Sequence, residues 1–184
     1  MVRPELSDDL VAAAIRGDRD ARGDIYAALA PSVLGYLRAR GVDDPEALTQ
    51  DVFVKLLPQL GRLTGGVEGL RKLTFTIARA RAVDAARSRA RNAPPVPYNP
   101  ATDVRTVGSA EDEAHAALAR ARVLAVLDVL PDDQREVLTL RVVADLSIEQ
   151  VAEVMGRSSG AVKQLQRRGM VAVRRALHDR RVTL

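Results

Sequence analysis

Lys163, Arg167 and Arg174 recur at intervals of four and seven residues, which on a helix brings them within about 40° of one another. Val162, Leu165, Gly169, Val173 and Ala176 fall on a different side. A helix divided in this way docks on its own domain by the apolar side and offers cations to phosphates and base edges by the other. Gln164 adds an amide able to pair bidentately with adenine, as Arg or Lys pairs with guanine. Two runs are strongly basic: Arg71–Arg91 holds seven basic residues and one acidic, and Arg157–Leu184 eight basic and one acidic. Between Asp43 and Asp51 stand four carboxylates and no basic side chain. Two basic blocks suit two contacts with a polyanion, and the acidic block a different partner; either basic block alone fits a solvated helix face equally well.

Catalytic signatures are missing. There is no phosphate-binding G-x-x-x-x-G-K-[ST] loop, no H-E-x-x-H and no cysteine. His115 and His178 are too isolated for a metal site, and no Gly-punctuated calcium loop surrounds Asp43, Asp44, Glu46 and Asp51. The expectation is a protein that is not an enzyme, with no cofactor, metal or small-molecule substrate.

The elements that must position these groups are helices. The chain has 184 residues, 47% hydrophobic and only 3% aromatic, without Trp, a balance that favours Ala/Leu-rich helical domains over sheets. Ser7 or Asp8 caps a first helix to about Arg16. A second covers Ala21–Arg40, where Pro31 permits a kink, and a third Glu46–Leu57 after Pro45. Leu60–Gly69, crowded with Gly61, Gly65, Gly66 and Gly69, reads as a loop. Leu70, Leu73 and Ile77 then mark the buried face of a helix over Leu70–Arg89. Pro94, Pro95, Pro97 and Pro100 identify a linker, so the expected organisation is all-α, with two small helical domains at 1–91 and 112–184 joined by a flexible linker at 92–111. The second restarts helix at the acidic EDEAHAALARA stretch, and Pro131 and Asp132 open a further helix to about Ala144.

The sharpest local pattern follows. Ser147 and Gln150 form a capping box, and Ile148, Val151, Ala152 and Met155 a stripe at i, i+3, i+4 and i+7. Gly156 permits a sharp turn, and Ser158 or Ser159 caps the longer basic helix. A short helix, a glycine turn and a longer helix make a helix-turn-helix.

The segment LPDDQREVLTLRVVADLSIEQVAEVMGRSSGAVKQLQRRGMVAVRRAL resembles region 4 of bacterial RNA polymerase sigma factors, notably the extracytoplasmic-function (ECF) group. DPEALTQDVFVKLLPQL and LRKLTFTIARARAVDAARSRAR resemble region 2. The resemblance implies promoter-specific initiation with core polymerase. It implies −35 contacts by Ser158, Ser159, Lys163, Gln164, Arg167 and Arg168, and −10 contacts by Arg71, Lys72, Phe75 and Arg79. Lys72, Phe75 and Arg79 at i, i+3, i+7 set an aromatic between two cations, a face suited to backbone and base stacking; Phe75 fits a core position equally. Gln50, Asp51 and Lys55 on the third helix are the implied contacts to the β′ clamp, with the β flap, promoter DNA and an anti-sigma protein as further implied partners. The sequence departs from the family in having Leu73 where Trp is common and Ala80 where Asn is common. With no apolar run of membrane-spanning length and no signal peptide, a cytoplasmic location and no membrane insertion are expected. The rival reading is a stand-alone helix-turn-helix regulator acting as a dimer.

Overall fold

A computed structural model describes residues 4–92 and 126–182. The linker and most of the helix expected to restart after it lie outside the described residues. Those that are described form helices and turns only.

Ser7 caps α1 (Asp8–Ile15) by accepting from the Leu10 amide, and Asp18 caps α2 (Arg19–Ala39) through Oδ1 to the amides of Asp20 and Ala21. Helix α2 runs uninterrupted across Pro31. Its buried face, Ile25, Leu29, Val33, Tyr36 and Leu37, holds the helix together where proline has removed one internal bond. Asp44 caps α3 (Pro45–Leu56), which has proline in its first turn.

Two expectations for the next stretch are corrected. A 3-10 helix, Leu57–Arg62, runs into the stretch expected to be loop from Leu60, and α4 begins at Gly66 and reaches Asn92. Gly66 has φ +55°, and an added Cβ would sit 2.1 Å from Asp8 Oδ1. That oxygen accepts the Val67 amide at 2.8 Å, so α1 caps the start of α4 from 59 residues away. The glycine is required by this close approach. The buried face of α4 is also turned from the expected one. Leu70, Thr74, Phe75, Ala78 and Ala82 are buried, while Leu73 and Ile77 are only half-buried, a rotation of about 100° about the helix axis. Small residues let the neighbouring helices approach, and Thr74 satisfies its hydroxyl by donating to the Leu70 carbonyl at 2.7 Å.

In the second unit, Val126 and Leu127 are helical and a turn leads to Pro131. Helices α5 (Asp132–Val142), α6 (Ile148–Met155) and α7 (Ser159–Val182) follow. The capping box of α6 is complete: Ser147 Oγ accepts the Gln150 amide, and Gln150 Oε1 accepts the Ser147 amide. Gly156 ends α6 in the left-handed region, φ 64°, ψ 38°, as a C-terminal glycine cap requires. Val162 is buried, and Gly169 lets Leu138 come within 3.0 Å of where a Cβ would stand.

The two units pack together. Helix α5 lies on α2 and α6 on α4, and their buried apolar residues form one cluster. Val143 fills the space left by Gly35, its Cγ1 standing 3.2 Å from where a Cβ would be. Because α6 is sandwiched between α4 and its own unit, Val154 is buried along with Val151, Ala152 and Met155.

Candidate nucleic-acid interface

The turn at Gly156 and the burial of Val162 and Gly169 orient α7 so that one side faces outward. Lys163, Gln164, Arg167, Arg168, Arg174 and Arg175 are exposed. Ser158, also exposed, accepts the Ala161 amide at 3.2 Å and so caps α7; Ser159 is half-buried. Among the described residues none of these five cations has an ion pair, whereas Arg157, just before the helix, is held by Asp133. Unpaired guanidinium and ammonium groups on one exposed face, with an amide between them, can neutralise phosphates and reach base edges without breaking any internal contact.

The α4 cations are differently placed. Arg79 Nε donates to Glu136 Oε1 at 3.0 Å, Lys72 Nζ pairs with Glu153 Oε2 at 2.7 Å, and Arg71 Nη1 donates to the Ala144 carbonyl at 3.4 Å. All three acceptors belong to the second unit. Phe75 is wholly buried and stands edge-on to Tyr36, with ring centroids 5.8 Å apart. Its expected place between two cations on an exposed face is therefore corrected. The i, i+3, i+7 spacing is present, but the aromatic lies on the packed side of α4 and has no face free for a base.

The acidic block is likewise mostly absorbed within the fold. Asp43 pairs with Arg89 and Glu46 with Arg38, Asp44 caps α3, and Asp51 pairs with Arg81 at 2.8 Å. Asp51 thus braces α3 against α4. Gln50, Val54 and Lys55 remain exposed on α3, a mixed apolar and polar strip of the kind that docks a partner helix.

Glu136 and Tyr36 escaped the sequence reading. Glu136 has only 4% of its surface exposed, and its Oε1 also accepts the Tyr36 hydroxyl at 3.0 Å. Burial, and then the neighbouring Glu136 carboxylate, push the Tyr36 phenol far above its ordinary value, so it remains a donor. The only available signal was a carboxylate inside the REVL run, between residues at apolar spacing. Among the described residues no group of His, Asp or Glu is arranged to hold a metal, and no helix is long and apolar enough to cross a membrane.

Comparison with known proteins places these features in a family. Residues 126–175 match the family described as Sigma-70, region 4. The chain is 32% identical over 174 residues to the ECF RNA polymerase sigma factor BldN of Streptomyces coelicolor, covering 93% of this chain and 66% of that one. It is 32% identical over 173 residues to the ECF RNA polymerase sigma factor SigD of Mycobacterium tuberculosis, covering 90% and 81%. The fold is similar to that of CnrH, solved in complex with the cytosolic domain of CnrY. That match has a TM-score of 0.67 and 23% identity, and covers 94% of this chain and 97% of that one. With helices, turn and basic face laid out as region 4 requires, and the match to SigD running through both units, the chain belongs to the ECF RNA polymerase sigma factors.

Proposed function

We propose that the protein binds core RNA polymerase and directs initiation at promoters whose −35 element is read by α7 and whose −10 element is read by α4. The observation that carries this reading is the unpaired, exposed cationic face of α7 behind a capped and glycine-terminated turn. Lys163, Gln164, Arg167 and Arg168 contact the −35 duplex, with Ser158 and Ser159 at the helix start where phosphates are held by exposed amides. Arg71, Lys72 and Arg79 hold the −10 strand; Phe75 supports their helix from within.

Exposed Gln50 and Lys55, with Val54 between them, meet the β′ clamp, and Asp51 positions that strip through Arg81. The β flap is engaged by the second unit, and an anti-sigma protein competes for these same surfaces. On this reading the domains are a region 2-like unit at 1–91, a linker at 92–111 and a region 4-like unit at 112–184. Two modest DNA contacts on one chain gain affinity through effective concentration once polymerase fixes their spacing.

The test separates the two surfaces. Lys163→Ala with Arg167→Ala should weaken holoenzyme binding to the promoter and lower the slope of log affinity against log salt by about one per removed cation. Core binding in a pull-down should be unchanged. Gln50→Ala with Lys55→Ala should reduce core binding and leave duplex binding by the free protein intact. If both pairs fail in the same assay, the assignment is wrong.

A further inference from the structure

Helix α4 opens without a cap of its own. Thr64 stands three residues before Val67, where a hydroxyl ordinarily serves one of the first amides of a helix. Yet Thr64 is exposed and its side chain has no hydrogen-bond partner among the described residues. Asp8 serves that amide instead, Oδ1 accepting the Val67 N–H at 2.8 Å. Gly65 and Gly66, at φ +84° and +55°, turn the chain into α4, and the Thr64 carbonyl oxygen stands 1.9 Å from where a Cβ on Gly69 would be. We propose that Asp8 is a positioning residue for promoter reading: from α1 it fixes the turn Leu63–Gly65 and the opening of α4, and with them the place where Arg71 and Lys72 meet the −10 strand. This rests on the assignment of α4 to the −10 element.

Helix α1 is a rigid arm for the purpose. It buries Val11 and Ala14 in the core and packs on α2, α4 and the 3-10 helix, so Asp8, its first residue, is held by backbone anchored within the fold. Arg71 lies four residues after Val67, one turn further along α4 and about 40° round it. A shift in the opening turn therefore moves both cations. Phosphate contacts carry no sequence information themselves, but they set the register in which bases are read. Such groups must be held to within about 0.5 Å, and a turn made of two left-handed glycines does not hold itself. A carboxylate is a costly choice beside a polyanion, since it repels the phosphates that Arg71 and Lys72 attract. Here it faces two helix N-termini, that of α1 and that of α4, which offset the repulsion. What the turn needs from Asp8 is the acceptor oxygen, which an amide supplies equally well without the charge.

The test uses holoenzyme. Wild type, Asp8→Asn and Asp8→Ala are each combined with core polymerase on the genomic template whose start the wild type uses most strongly, and on single-base variants of its −10 and −35 elements. A single mismatch in either element should lower wild-type transcript yield about 5–150-fold. With Asp8→Ala the −10 ratio should shrink at least about threefold while the −35 ratio stays as in wild type. Asp8→Asn, which keeps the acceptor, should retain both ratios. A loss of folded protein lowers yield on every template and leaves the ratios alone, so the ratios separate positioning from stability. Far-UV circular dichroism checks the fold; should Asp8→Ala fail it, Asp8→Glu, which carries the carboxylate one methylene past the amide, decides alone and should lose the −10 ratio.

An unchanged −10 ratio in Asp8→Ala, an equal loss at −35, or an Asp8→Asn variant that behaves as Asp8→Ala overturns the role of Asp8. Failure of the underlying readings shows elsewhere: for the sigma assignment, as absence of transcripts from the wild type; for α4, as full yield from Arg71→Ala with Lys72→Ala.

Discussion

Replacing Tyr36 by Phe removes one hydroxyl and no volume, which makes it a clean probe of the buried contact. The ring is wholly buried against Phe75, so its packing is preserved. What is lost is a hydrogen bond to a carboxylate that is itself 4% exposed. A bond to a charged group contributes about 1.5–3 kcal/mol, and neither partner is screened by solvent, so the whole of that range is expected. For a chain of this size each kcal/mol moves Tm by about 2–4 °C, which gives a decrease of about 3–12 °C. Urea denaturation should give the same loss with an unchanged slope, since no surface is added or removed. The double-mutant cycle with Glu136→Ala is the sharper readout. Once the carboxylate is gone, the phenol has lost its partner, and Tyr36→Phe should become neutral or slightly stabilising. A loss below about 0.5 kcal/mol in the wild-type background, or an equal loss with and without Glu136, would refute the reasoning.

Three further outcomes are expected. Because the folded-state value of Tyr36 lies above the ordinary 10.0, its contribution to stability is complete below pH 10 and is lost as the unfolded chain ionises above it. In a 295 nm titration at least one of the three tyrosines should therefore ionise only as the chain unfolds, and free ionisation of all three before unfolding would contradict its burial. Ser147→Ala should cost about 1 kcal/mol by removing the capping oxygen, seen as a lower urea midpoint. Gly66→Ala combines a left-handed backbone, about 1–2 kcal/mol, with displacement of the Asp8 cap, about 1 kcal/mol. It should lower stability by about 2–3 kcal/mol, whereas Gly61→Ala, with open space around it, should stay within about 0.5 kcal/mol.

Local patterns were legible where one helix contains all the information. The capping box at Ser147 and Gln150, the stripe of α6, the glycine at position 156 and the divided faces of α7 follow from spacing alone. Helix α4 misled because a periodicity reading weights Leu73 and Ile77 above Thr74, Ala78 and Ala82. A face that packs closely against other helices can instead be built of small residues, with threonine's hydroxyl absorbed by the preceding turn. Phe75 was ambiguous for the same reason. A run of charge reveals its sign and not its partner, so the carboxylates from Asp43 to Asp51 read as a surface for another molecule. Three are in ion pairs with Arg38, Arg81 and Arg89, and Asp44 caps a helix. The seam between the units, with Glu136 at its centre, joins residues 57 and 100 positions apart, and such pairings leave no trace in local spacing.

The central claim is that this chain gives core polymerase promoter specificity, and transcription tests it most directly. The protein would be mixed with sigma-free core polymerase on a fragmented genomic library, and the 5′ ends of all transcripts mapped. Discrete starts preceded by shared elements near −35 and −10, lost together in the Lys163→Ala, Arg167→Ala variant, are the predicted result. Specific duplex binding by the protein alone, with no transcripts from the reconstituted enzyme, would contradict it.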